Sequence, residues 1–334
     1  VHPFILERPR DLVTAIALAA APGGPSAEYI AGGTDMLPLL KEEIRHPDRL
    51  VALGAGALDD RIEIRADGFL RVGAAATMSA VAEHVGVRTG FPLIAQALLA
   101  GASPQVRNMA TMGGNLLQRT RCAYFRDPGV AQCNKRRPGT GCAAAEGEHR
   151  MHAILGASEQ CLAVHPSDLA VALVALDTAL QLSGPAGDRL VPIEVFHCLP
   201  GNTPHVETVL GPGEVITAIE VPAAPWLASA CHYLKVRDRE SFEFALVSAA
   251  VALEIDDDRI RSARVALGGV GTRPWRMRGV EEALTGARRD VEVYRTAAER
   301  AVEGAAPRLG NAFKLPLMKA TLARALRIAG GGYR

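Results

Sequence analysis

Four of the six cysteines, Cys122, Cys133, Cys142 and Cys161, fall in one stretch between Gly101 and Asp168, with ten, eight and eighteen residues between them. The intervening sequence, with Gly129, Gly139 and Gly141, reads as irregular loop, and a loop this long inside a compact domain needs a staple. Thiols can supply one in three ways. Two disulfides suit an oxidising compartment. Structural zinc takes four thiolates, usually from pairs about two to four residues apart, and no such pair exists here. An iron–sulfur cluster needs four thiolates converging from loops and tolerates irregular spacing, and Arg121, Arg126, Lys135, Arg136 and Arg137 would offset its negative charge. Spacing alone leaves the three open.

Two glycine pairs form the second chemical signal. Tyr29-Ile30-Ala31-Gly32-Gly33-Thr34-Asp35-Met36-Leu37 and Ala110-Thr111-Met112-Gly113-Gly114-Asn115-Leu116 each set adjacent glycines beside hydroxyl or amide side chains. Glycine lets backbone N–H groups turn toward one point and lets a ligand come close, the geometry that binds phosphate oxygens. The first pair follows a short apolar strand and precedes a helical run, so its amides can meet an anion at a helix N-terminus. One such pair is an ordinary turn; two point to a ligand with two phosphates.

These residues must be positioned by a chain of 334 residues, enough for two domains. Lys plus Arg number 37 against 36 Asp plus Glu and aromatics make up 4%, a balance that gives no reason to expect nucleic acid. There is no apolar run long enough for membrane insertion. The N-terminal apolar patch follows Glu7, Arg8, Arg10 and Asp11 and reads as a helix of the fold rather than a signal peptide. Strands at Phe4–Leu6, Tyr29–Ala31 and Leu50–Leu53 alternate with helices, a small parallel α/β unit. From Ile62 the texture becomes antiparallel, with helices from Thr77, Leu93 and Ala170. Beyond Pro222-Ala223-Ala224-Pro225, His232–Val236, Phe244–Leu253 and Ile260–Leu267 alternate as strands, with Asp256-Asp257-Asp258 as a hairpin turn. Helices over Val280–Leu284, Val291–Val302 and Pro316–Ile328 close the chain, ending in Gly330-Gly331-Gly332.

Read together, AGGTDMLPLL, ATMGGNL, Asp168 and Lys235-Val236-Arg237-Asp238-Arg239 resemble the FAD-binding medium subunit of the molybdenum hydroxylases, the family of xanthine dehydrogenase and carbon monoxide dehydrogenase. The resemblance covers nearly the whole chain. It implies an α+β, PCMH-type FAD-binding domain over 1–224 (subdomains about 1–56 and 57–224), followed at 225–334 by the family's C-terminal antiparallel sheet with helices. The cysteine insertion, 119–165, is not general to that family. NLLQRTRC, CNKR, GCAA, HAILG and HPSD resemble the flavin subunit of bacterial periplasmic aldehyde oxidoreductase, and a related insertion with different spacing occurs in 4-hydroxybenzoyl-CoA reductase. In both it holds a 4Fe-4S cluster, so the resemblance makes Cys122, Cys133, Cys142 and Cys161 cluster ligands.

The resemblance also assigns roles. Ile30, Ala31, Gly32, Gly33, Thr34, Asp35, Met36 and Leu37, with Ala102, Thr111, Gly114, Asn115, Gln118 and Ala163, would hold FAD. Asp168 would accept a hydrogen bond from the flavin, its plainer reading being a helix N-cap. Ile216 would pack near the flavin, or is a core isoleucine. Lys235 would lie near the isoalloxazine, though alone it reads as a surface lysine. Cys198 and Cys231 read as buried small apolar residues. His149, His152 and His165 read as bonded to backbone or to a neighbouring subunit rather than to metal. The implied protein is an electron-transfer subunit of an aldehyde oxidoreductase, inactive on aldehyde by itself. Its partners would be a large molybdenum-cofactor subunit, a small 2Fe-2S subunit and an external acceptor. It would reach the periplasm on a partner's signal, the cytoplasm being the alternative. A free-standing flavin oxidase and a zinc-stapled scaffold are the competing readings.

Overall fold

The computed structural model describes residues 1–334 apart from Pro22, Pro25, Ala55 and 332–334; Gly332, last of the C-terminal glycine run, lies outside the described residues. The first sheet is parallel, β1 (Ile5–Glu7), β2 (Ala27–Ile30) and β3 (Arg49–Ala52) in the order β1-β3-β2. The expected first helix is Leu12–Ala20: Asp11 caps it by accepting from the Thr14 amide at 2.7 Å, and Ala15 packs with Leu12 and Ile16 against Val51.

The second sheet is antiparallel: β4 (Ile62–Ile64), β5 (Leu70–Gly73), β6 (Ala179–Gly184), β7 (Gly187–Pro192) and β8 (Val215–Val221), ordered β4-β5-β8-β6-β7. Strand β7 is absent from the sequence reading because Gly-Asp-Arg-Leu-Val-Pro lies at the sheet edge, mostly exposed, with little apolar pattern to announce it. Between β6 and β8 the register shifts, pairing Gln181 with Ala218 but Leu182 with Ile216.

The third sheet comprises β9 (Cys231–Val236), β10 (Val247–Asp256), β11 (Arg259–Gly268) and β12 (Trp275–Arg276), ordered β12-β11-β10-β9 and antiparallel. As expected, the aspartate triplet makes the β10–β11 turn, with Asp257 at φ 53°. Strand β10 does not alternate apolar with polar, because both its faces are covered. Val247, Ala249, Val251 and Leu253 pack toward the helices Arg278–Leu284, Val291–Ala298 and Lys314–Ala329. Ala250 and Ala252, with Ala266 of β11, join the core shared with the helices Pro92–Ala100 and Asp168–Ala175. Alternation there is of size rather than polarity, the small residues letting the helices approach the sheet. Residues of the second and third sheets and of these two helices belong to one cluster, so the chain on either side of Pro222–Pro225 shares one apolar core. No helix among the described residues is long and apolar enough to cross a membrane.

Candidate functional site

The two glycine motifs converge although 72 residues lie between Leu37 and Ala110. Gly32 lies so close to the second motif that a Cβ added there would stand 1.7 Å from the Met109 carbonyl oxygen, and Gly33 has φ +73°. Only glycine serves at this approach. The second pair is not a turn: Met112–Leu116 is a single helical turn, capped by the Thr111 hydroxyl accepting from the Gly114 amide at 3.2 Å. A Cβ on Gly113 would meet that of Ala74 at 3.0 Å, so this glycine packs helix against sheet.

Both motifs line one cavity of about 1050 Å³ that also takes in Ala102, Gln118, Asp168, Ile216 and Lys235, at the upper end of ordinary ligand sites. Of the residues singled out for FAD, Leu37 and Ala163 are the exceptions. Leu37 is half exposed and packs against Gly33, and Ala163 belongs to the cavity of the cysteines. Ile216 is buried on β8 and forms core and cavity wall at once. Ala102 holds φ +52°, a left-handed backbone uncommon for a residue with a side chain.

Two plain readings are corrected here. Asp168 is not the N-cap: Ser167 caps the helix by accepting from the Ala170 amide at 3.0 Å, which frees the Asp168 carboxylate. Lys235 is not a surface residue: its side chain is 3% exposed, and its Nζ donates to Asp168 Oδ2 at 2.7 Å and to the Ala100 carbonyl at 3.2 Å. Tyr233, two residues earlier on the same face of β9, donates its hydroxyl to Asp168 Oδ1 at 2.7 Å. Burial, and then the Asp168 charge, pushes the Tyr233 hydroxyl well above its ordinary value, so it stays a donor. Sequence reasoning missed Tyr233, whose period-two spacing from Lys235 was the available signal.

The cysteine excursion is more ordered than its sequence suggests. It carries a helical turn at Ala123–Arg126, a 3-10 turn at Ala143–Ala145, and bridges pairing Cys133 with Cys142 and Ser158 with Cys161. Asn134, which sequence reasoning passed over, knits three cysteine-bearing turns together. Its amide nitrogen donates to Gln160 Oε1 at 2.8 Å and its Oδ1 accepts from the Gly141 amide at 2.8 Å. Each of these residues adjoins a cysteine, Cys133, Cys161 and Cys142 respectively.

All six cysteines are free, which removes the disulfide alternative. Cys122, Cys133, Cys142 and Cys161 line one cavity, yet among the described residues no trio of metal-ligand atoms within 4.8 Å includes a cysteine. A single zinc ion with Zn–S bonds of about 2.3 Å holds its sulfurs about 3.8 Å apart, so the thiols stand too widely for it. Four thiolates are the donor set of an iron–sulfur cluster, while the cavity they line holds only about 10 Å³. Burial pushes the Cys122 thiol up to about 12 and also raises that of Cys161, so ligation must displace their protons.

The basic residues do not surround the sulfurs as charge would suggest. Arg121 and Arg126 reach Asp35 Oδ1 at 2.9 and 2.8 Å, Arg126 also pairs with Glu42, and Arg136 donates to the carbonyls of Tyr124 and Phe125. Lys135 lines the cysteine cavity, but its Nζ pairs with Glu207 at 2.8 Å. Asp35, placed in the cradle by sequence, thus spends its carboxylate latching the excursion to the first glycine motif; its Oδ2 also accepts from the Arg119 amide at 2.7 Å. Of the histidines, His149 faces the Ala145 carbonyl as expected, and His165 accepts from the Ser167 amide. His152 departs from expectation, with Nε2 at 3.2 Å from Cys122 Sγ. Cys198 and Cys231 are half-buried rather than fully enclosed.

An α+β fold that closes two glycine motifs and a buried Lys–Asp pair around one cavity defines a dinucleotide-binding protein. Residues 2–224 match the family described as "FAD binding domain in molybdopterin dehydrogenase", and 232–329 match "CO dehydrogenase flavoprotein C-terminal domain". The chain is 47% identical to "Aldehyde oxidoreductase FAD-binding subunit PaoB" of Escherichia coli (strain K12), covering 90% of this chain and 91% of that one. It is 26% identical to the carbon monoxide dehydrogenase medium chain of Afipia carboxidovorans, covering 81% and 76% of the two. It superposes on a chain of quinoline 2-oxidoreductase from Pseudomonas putida 86 with a TM-score of 0.75 at 27% identity, covering 99% and 98%. The chain belongs to the family of FAD-binding subunits of molybdopterin-dependent dehydrogenases: it is an electron-transfer subunit of a molybdenum-hydroxylase-type oxidoreductase, with the PCMH-type α+β fold.

Proposed function

We propose that this chain is the FAD- and 4Fe-4S-containing subunit of a heterotrimeric aldehyde oxidoreductase, working beside a molybdenum-cofactor subunit and a 2Fe-2S subunit and delivering electrons to an external acceptor. The observation that carries the reading is the meeting of four unpaired thiols at one cavity, in an excursion latched by Asp35 to the wall of the dinucleotide cavity. The likeness to an aldehyde oxidoreductase FAD-binding subunit supports the substrate class.

In this reading residues 1–224 form the FAD-binding domain and 225–334 the C-terminal domain. The amides of Ile30–Met36 and Thr111–Asn115 hold the FAD diphosphate, Gln118 reaches its polar chain, and Ala102 and Ile216 shape the wall. Asp168, held by Tyr233 and Lys235, accepts from the flavin side, and Lys235 supplies a fixed positive charge there. Cys122, Cys133, Cys142 and Cys161 ligate the cluster. Bound FAD takes two electrons and a cluster one at a time, so the pair collects and passes on charge. The complex would reside in the periplasm, carried there by a partner subunit.

The purified subunit should contain iron and acid-labile sulfide at about four each per FAD, and Cys133→Ser should lose both while Cys198→Ser keeps them. Stoichiometric zinc without iron would overturn the cluster, and turnover of aldehyde by this polypeptide alone would overturn the subunit reading.

A further inference from the structure

Strand pairing brings a second set of metal-ligand side chains together, remote in sequence from the cysteines. Parallel strands β1 and β3 pair Ile5 with Arg49. His2 and His46 each stand three residues before those positions, so the same register sets the two imidazoles side by side, ring centroids 4.3 Å apart. Glu43, in the connection leading to β3, places Oε2 3.1 Å from His2 Nε2 and 3.1 Å from His46 Nε2. The three ligand atoms lie within 4.8 Å of one another, the sole such group among the described residues.

These separations match an ion's coordination shell. Nitrogen and oxygen ligands about 2.0–2.1 Å from a tetrahedral zinc stand roughly 3.3 Å apart. Glu43 has φ +56°, just beyond the helix Met36–Lys41, where glycine would cost less. That backbone turns the carboxylate toward the imidazoles.

The geometry points to a divalent transition-metal site at His2, Glu43 and His46. Two imidazoles and one carboxylate suit zinc and its neighbours, not magnesium or calcium, which take oxygen shells. With the three side chains 61%, 39% and 45% exposed, solvent completes the coordination. Glu42 and Arg45, which immediately precede Glu43 and His46 in sequence, line the dinucleotide cavity. An ion here ties the residues just before β1 to the segment that lines that cavity.

The test uses the cofactor-loaded protein, dialysed against chelator and titrated with Zn²⁺ alone, counting zinc, iron and FAD on the same samples. The expected result is one bound zinc per chain, with affinity lowered about tenfold or more in both His46→Ala and Glu43→Gln and iron and FAD unchanged. Saturating zinc should raise Tm by roughly 2–4 °C in the parent and not in the variants. Equal zinc binding by the parent and Glu43→Gln, which removes only the charge, or no binding by the parent, would overturn the site and leave two imidazoles hydrogen-bonded to a carboxylate. Loss of FAD or iron bears on the proposed function and not on this site.

Discussion

Lys235 Nζ and Asp168 Oδ2 lie 2.7 Å apart, joining the C-terminal sheet to the helix Asp168–Ala175 inside the wall of the dinucleotide cavity. Both side chains are nearly enclosed, at 3% and 10% exposure, so neither charge is tolerable without the other. Lys235→Met should therefore destabilise the protein by about 3–5 kcal/mol. The double variant Lys235→Met/Asp168→Asn should recover much of that loss, because it removes the stranded carboxylate charge. Urea unfolding of the parent, the single variants Lys235→Met and Asp168→Asn, and the double variant measures the coupling, and additive effects would show that the charges act separately.

Asp35 accepts from Arg121, Arg126 and the Arg119 amide, and its loss should free the cysteine excursion from the first glycine motif. Asp35→Ala leaves the part-buried Arg126 with Glu42 as its one carboxylate partner, beside the Thr120 and Arg119 carbonyls. We expect a loss of about 2–4 kcal/mol and faster cleavage near 119–126, read by limited proteolysis and mass spectrometry. A digestion pattern identical to the parent's would show that the latch is dispensable.

Asn134, next to Cys133, is 3% exposed and holds the neighbours of Cys142 and Cys161 by side-chain hydrogen bonds. Asn134→Leu keeps the volume and strands the Gly141 amide, so it should lower bound iron per chain substantially while sparing FAD. Iron and flavin counts on the purified variant check this; an unchanged iron count would mean that the backbone alone sets the turns.

His197 is buried, with Nε2 at 2.9 Å from the Leu116 carbonyl and its ring 4.2 Å from that of His165. Burial pulls the His197 imidazole down to about 4, and pushes His165 well below its ordinary value. The unfolded chain therefore binds the His197 proton first on acidification. The stability that the neutral ring contributes is complete above about pH 6.5 and is lost as pH falls through 4, on the order of 3 kcal/mol. His197→Gln should flatten the fall of Tm between pH 6.5 and 4; an equally steep fall in the variant would assign the acid sensitivity to other groups.

The sequence by itself determined the local elements and the residue types that carry chemistry. The glycine pairs, the first helix opened after Asp11, the β10–β11 turn at the aspartate triplet and the apolar helix read from Ala170 follow from backbone freedom, capping and periodicity, all set by neighbours in the chain. Family resemblance added candidate cofactor residues, most of which line one cavity. What only the tertiary structure decided is which charges meet: Lys235 with Asp168, Arg126 with Asp35, Lys135 with Glu207, and His2 with His46 across Glu43. Such pairings depend on strand order, register and burial across 44 to 91 residues of chain, and an exposed edge strand such as β7 leaves no apolar pattern to read. Desolvation then fixes their weight, because a lysine that looks like a surface residue in sequence becomes half of an enclosed ion pair once β9 packs against the helix that follows Ser167.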